Sequence, residues 1–327
     1  MKSDKNDPFA YRSQGGRLEL GSEEGDNISA MITVDDKLIC ITRKNIREIL
    51  MADNVDPDRT NSKMNHNVQN ILPYGSDNEF VGRTFQQASV LFKEGSLNKG
   101  ISHNKGINIS LSFLKEITSL DNLRRNYIRE EETINSSIGK EPHAPNLPNL
   151  EQKVKGFISN TDHACGLIMG MSNLFYPDVK GKGWESKLIT KLDPETQKDF
   201  IKFIKSFEVY TTGLRRMRNK IEHPHGELKD DLFDIVNYKL NPDNTISTPA
   251  ITYESTVYNI PKIKVSAFME STIINLVNIF ESLMVYLCSL HTESFAGDER
   301  VVASIQEDKR QDSEKHVGFQ YQILWTE

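Results

Sequence analysis

The sequence predicts a mainly α protein: an antiparallel helical bundle with a small N-terminal β-hairpin and a β-hairpin insertion before the last long helix. Three observations point there. The second half holds long segments, over about 150–175, 194–222 and 264–290, whose apolar residues recur at helical spacing. Residues 28–41 alternate apolar and polar around Asp35-Asp36, the pattern of a hairpin. The turn-forming run Asn241-Pro242-Asp243-Asn244 separates two β-prone stretches, 232–240 and 250–258.

The elements follow in order. Residues 1–27 are polar and read as a disordered tail. Residues 28–148 read as a hairpin followed by helices. In that region Thr42 is expected to cap a helix over 43–52, with Ile46, Ile49 and Leu50 on one face. Asp53 to Asp58 ends it; the run lacks the glycine and distal glutamate of a calcium loop. A helix over 65–72 is expected to stop before Pro73, and the next to start near Asn78 and bury Phe80, Val81, Phe85, Ala88, Leu91 and Phe92. A helix over 107–134 follows, then a connection over 139–148 holding three prolines.

Residues 149–291 form the expected bundle. Its first helix carries Val154, Phe157, Ile158, Cys165, Ile168, Met169 and Leu174 on one stripe. Asp193-Pro194-Glu195 reads as the N-cap and first turn of the next, which runs to Glu222 and buries Phe200, Phe203, Ile204, Phe207, Leu214, Met217 and Ile221. Gly181-Lys182-Gly183, which follows no strand, reads as a flexible loop. The last helix buries Phe268, Ile273, Leu276, Phe280, Leu283 and Leu287. Residues 292–327 read as a polar tail, mobile to 315, with a short strand over 316–325.

Composition narrows the function. The 327 residues carry a formal net charge of −6, which argues against nucleic-acid binding by the whole surface and leaves room for a local basic site. The three cysteines, Cys40, Cys165 and Cys288, are far apart and form no CxxC pair, so no zinc site or disulfide framework is expected. They read as buried thiols of a reducing cytoplasm. No apolar run is expected to span a bilayer, the N-terminus lacks an apolar signal core, and no cofactor motif is present.

The residues with chemistry to offer cluster at one place, Leu214 to Gly226. Lys198, Lys202, Lys205, Val209, Thr212, Arg216, Asn219 and His223 recur at steps of three or four and share a helix stripe, with Arg218 and Glu222 one turn apart on a neighbouring line. A basic face near a helix C-terminus also simply complements the macrodipole. Pro224 adds something beyond that: it disfavours the α conformation at His223, so the imidazole is expected to leave the helix. Histidine can take and return a proton near neutral pH, arginine offers a planar fork to phosphate, and asparagine can orient a hydroxyl. Those parts suit attack of an RNA 2′-hydroxyl on the adjacent phosphate. His225 is a second candidate histidine, and Arg215 and Arg216 are further arginines, so spacing leaves the register open.

Arg218-Asn219-Lys220-Ile221-Glu222-His223 resembles the Arg-x4–6-His motif of HEPN domains, in which a polar residue, often Asn, follows the arginine. Its place late in a long helix that another long helix follows fits as well. Asn160-Thr161-Asp162-His163-Ala164 is similar to polar positions of related helical domains, and the resemblance spans about 150–290. It implies a bundle that dimerises with two copies of the motif at the interface. Many members are metal-independent ribonucleases of toxin, phage-defence or RNA-processing systems; others have lost activity and bind nucleic acid or protein. Carried over, Arg218 would hold the phosphate, Asn219 would orient groups and His223 would be the general acid/base. Arg215, Arg216, Lys220 and His225 would contact substrate, with Asp162 and His163 in support. The expected partners are RNA, a second copy and an antitoxin-like or regulatory protein. The 232–258 insertion and residues 1–148 have no counterpart in the minimal domain.

Overall fold

The computed structural model describes residues 26–64, 67–138, 145–223, 228, 230–294, 299–306 and 316–324. Most of the expected N-terminal tail lies outside them. The chain is about 49% helix and 20% strand, which corrects the mainly α expectation: the protein is α+β. It divides into two compact units, residues 1–111 with 291–327, and residues 112–290. The linker over 139–148 suggests a boundary, whereas this division falls inside a helix.

The first unit is built on an antiparallel sheet of order β1-β2-β3-β4: β1 (Ile28–Val34), β2 (Lys37–Thr42), β3 (Ile46–Leu50) and β4 (Asn67–Leu72), with the short α1 (Ala52–Val55) after β3. β1 and β2 are the expected hairpin, in register Met31↔Cys40. The helices expected over 43–52 and 65–72 are instead β3 and β4. Thr42 does offer its hydroxyl oxygen to the Asn45 amide at 3.0 Å, but this closes a turn between strands instead of starting a helix. Ile46 and Ile49 lie three apart, as on a helix face. Yet β3 is an inner strand, so β-branched residues on both of its faces can be buried. The charge this places inside, Arg47, is held by Asp26 at 3.0 Å.

Helical turns follow: α2 (Glu79–Val81), a π-helical segment Gly82–Gln86, and α3 (Gln87–Leu91). Asn78 caps the start by accepting the Phe80 amide at 2.8 Å. The C-terminal residues return here as a hairpin, β10 (Arg300–Ser304) with β11 (Phe319–Ile323). Buried Gln87 holds it, accepting from the Gly318 and Phe319 amides at 2.9 Å and donating to the Phe319 carbonyl at 2.8 Å. Part of the tail expected to be mobile is therefore strand.

The second unit takes α4 (His103–Ser137) from Ser112 onward, then α5 (Leu150–Phe175), α6 (Trp184–Ile189), α7 (Lys198–Glu222), a set of short strands and α8 (Val265–Leu290). α5 packs against both α7 and α8. Aromatic rings fill the core: Phe113 of α4 stacks on Phe280 with centroids 4.0 Å apart, and Phe157 meets Phe268 edge-on at 6.0 Å. α8 is long and apolar enough to cross a bilayer, contrary to expectation. However, 56% of its most apolar window is buried inside the molecule, so its composition is that of a core helix.

α7 begins four residues later than Pro194 suggests. Asp193 accepts the Glu195 amide at 3.0 Å and the Thr196 hydroxyl at 2.7 Å, a turn that precedes the helix. Beyond α7 come β5 (Leu232–Val236), β6 (Lys239–Leu240), β7 (Ile246–Ser247), β8 (Ala250–Glu254) and β9 (Ile260–Lys264). β5 pairs with β8 in register Asp234↔Thr252, and β6 with β7 near the Asn241–Asn244 turn. β9 is an unforeseen third strand that pairs with β8 and leads into α8.

Candidate active site

α7 presents two faces to different surroundings. Leu214, Met217 and Ile221 are buried, and Gly213 sits where a Cβ would run into the Tyr258 ring. Thr212, Arg215, Arg216, Asn219 and His223 line the wall of a cleft of about 1110 Å³. Its floor is Cys165, Gly166 and Met169 of α5. α6 also borders it, anchored by buried Trp184, which stacks on Phe207 of α7 at 5.7 Å. Gly181, Lys182 and Gly183 complete the rim. Both glycines have positive φ, 75° and 68°, which glycine adopts without strain. The run read as a flexible loop is thus part of the cleft.

His223 stands at the C-terminal end of α7. Its amide donates to the Asn219 carbonyl at 2.8 Å, closing the last turn, and its φ of −131° and ψ of 68° lie outside the helix. This is the departure expected before Pro224. Both His223 and Asn219 are exposed, and among the described residues neither side chain makes a hydrogen bond or ion pair.

The arginines differ. Arg216 grips Asp231 with Nη2 at 2.6 Å and Nε at 3.1 Å, and Tyr253 donates its hydroxyl to the same carboxylate at 2.6 Å. Burial works against ionisation of Asp231, but these hydrogen bonds outweigh it and hold its pKa below the usual range. Arg216 therefore ties α7 to the residue just ahead of β5. Arg215 reaches toward Glu185, with 4.0 Å between Nη2 and Oε1. Burial pushes the Glu185 carboxyl above its ordinary range, against the Thr211 hydroxyl at 3.0 Å and the Arg215 charge, which favour ionisation.

Arg218 does not line the cleft. Its Nη1 donates to Asp162 at 2.9 Å and its Nε to Glu222 at 3.0 Å. All three side chains are about one-third exposed (34%, 32% and 36%), so these are surface pairs that a phosphate can replace at small cost. Asp162, expected to support His223, supports Arg218 and lines the cleft itself. His163 points elsewhere, toward Glu116 of α4 at 3.8 Å. Lys220 donates to the Leu228 carbonyl at 3.1 Å and does not line the cleft. His225 lies outside the described residues.

The cleft thus joins Asp162, Arg215, Arg216, Asn219 and His223. Glu185, Asp231 and Tyr253 were not legible in the sequence. Glu185 lies on α6, Asp231 just ahead of β5 and Tyr253 on β8, at no motif spacing, and each meets α7 only through the fold. Comparisons with protein-family models, curated proteins and solved structures give no match to this chain.

Proposed function

We propose that this protein is a metal-independent endoribonuclease of HEPN type, active as a homodimer, serving as a toxin or phage-defence effector. The observation that carries the reading is the exposed pair Asn219 and His223, whose side chains make no hydrogen bond among the described residues, at the end of an arginine-bearing cleft. In the proposed reaction the His223 imidazole takes the proton of an RNA 2′-hydroxyl. The oxygen attacks the neighbouring phosphorus, the bond to the 5′-oxygen breaks, and the imidazolium returns its proton to the leaving 5′-oxygen. The products are a 2′,3′-cyclic phosphate and a 5′-hydroxyl. Arg218 would leave Asp162 and Glu222 to hold the non-bridging oxygens, while Asn219 orients the hydroxyl. A cytoplasmic setting and an antitoxin-like partner belong to the same reading; the buried thiols Cys40, Cys165 and Cys288, which form no disulfide among the described residues, suit a reducing compartment.

A second reading, a catalytically inactive HEPN-like module that binds nucleic acid or protein, is favoured by the two carboxylates already on Arg218. Incubation with RNA in EDTA separates the two. Cleavage by the wild-type chain that disappears in His223→Ala and in Arg218→Ala supports the ribonuclease. RNA binding without cleavage supports the module, and cleavage unchanged in both variants sinks the site assignment.

A further inference from the structure

The far end of the cleft carries a pair of groups that the cleavage chemistry leaves unused. Glu185 is 2% exposed, yet it lines the cleft, one oxygen held by the Thr211 hydroxyl at 3.0 Å. A carboxylate offers about four acceptor sites, so further sites can still receive donors from a ligand. Arg215, 35% exposed, stands 4.0 Å away and makes no closer ion pair among the described residues. A buried carboxylate without a tight counter-ion is costly, and donors from a ligand in the cleft would offset that cost.

Position along α7 shows which part of an RNA could reach it. Thr211 and His223 are twelve residues apart, roughly 18 Å of helix at about 1.5 Å per residue. That is too far for Glu185 to act on the phosphate beside His223. It is within reach of a neighbouring nucleotide of the same strand. Met169 and Cys165 supply an apolar floor for the flat face of a base, and of the rim residues Gly181, Lys182 and Gly183 only Lys182 brings a side chain.

Resting on the ribonuclease reading, we infer that Glu185 and Arg215 form a base subsite selective for guanine flanking the scissile bond. Guanine presents, in sequence around its edge, the 2-amino and N1 donors and then the O6 and N7 acceptors. A carboxylate beside a guanidinium presents two acceptors and then two donors, the complement of that order. Adenine, cytosine and uracil each break the match by setting an acceptor against the carboxylate or leaving one of its oxygens without a donor. Burial strengthens the discrimination, because a wrong base leaves Glu185 unsatisfied out of reach of water.

The test measures binding of short 2′-O-methyl oligouridines, which cannot be cleaved, carrying a single guanine, adenine or inosine. Wild-type protein should prefer guanine over adenine on the order of 10- to 100-fold, with inosine, which lacks the 2-amino donor, in between. Glu185→Gln should remove the guanine advantage. If that variant does not fold, the inosine comparison in the wild-type chain decides. Equal wild-type affinity for the guanine and adenine oligomers, a guanine preference untouched in folded Glu185→Gln, or no binding of any oligomer overturns the subsite. Cleavage of unmodified RNA is scored separately. Cleavage without base preference leaves the ribonuclease standing and removes the subsite; guanine preference without cleavage does the reverse.

Discussion

Arg216 of α7 and Tyr253 of β8 meet on one carboxylate, that of Asp231, which is almost wholly inaccessible to water. The helix and the sheet are thereby fastened beside the cleft. Asp231→Asn should destabilise the chain by about 2–3 kcal/mol in urea unfolding, because it removes the charge that buried donors face. The pH dependence should change too. The Asp231 pKa is depressed by folding, so its contribution is present above the unfolded value and is lost as pH falls through the folded one. Wild-type stability should therefore fall more steeply than that of Asp231→Asn as pH drops below about 4.

Gly213 allows Tyr258 to lie against α7. Alanine is the better helix former, so propensity alone predicts that Gly213→Ala gains up to about 1 kcal/mol. The ring contact reverses the sign: the variant should lose about 1–3 kcal/mol by thermal or urea unfolding, since the new methyl group must displace an aromatic ring. A stabilised Gly213→Ala would show that the ring moves aside freely.

Arg218 is restrained by two carboxylates, and each of them competes with phosphate. Asp162→Asn should tighten RNA binding by a few-fold at low salt, and the gain should shrink as ionic strength rises. Titrating a non-cleavable RNA at two salt concentrations gives both numbers. If Asp162 instead positions Arg218 for phosphate, the same variant weakens binding.

Cys165 lies on the cleft floor but is 4% exposed, and burial pushes its thiol up to about 12. All three thiols should resist a disulfide reagent at pH 8 in the folded protein and react together on unfolding. The folded thiol holds its proton more tightly than the unfolded one, so this contribution to stability is present below about pH 9 and fades as pH rises toward 12. Rapid reaction of one thiol at neutral pH would show that the cleft floor opens.

Most of the second unit was legible because its signals are local. Apolar residues at helical spacing placed α5 over Leu150–Phe175, and the Asn241–Asn244 turn placed the hairpin of β5 and β8. The first unit was not legible to the same degree. Ile46, Ile49 and Leu50 fit a helix face as well as a strand buried on both sides, and only pairing with β2 and β4 separates the two. The same limit applies to the site. His223 could be placed because Pro224 acts on its immediate neighbour. The partners of Arg216 and Arg218 could not, because Asp231 and Asp162 lie 15 and 56 positions away.

By itself, then, the sequence determined which residues could do chemistry and that His223 must leave the helix, since both follow from side-chain type and from proline's effect on its neighbour. The tertiary structure alone decided which arginines are occupied, that Asp162 answers Arg218, and that Glu185 stands in the cleft with His223. These are distances between elements, and they exist only after the chain has packed.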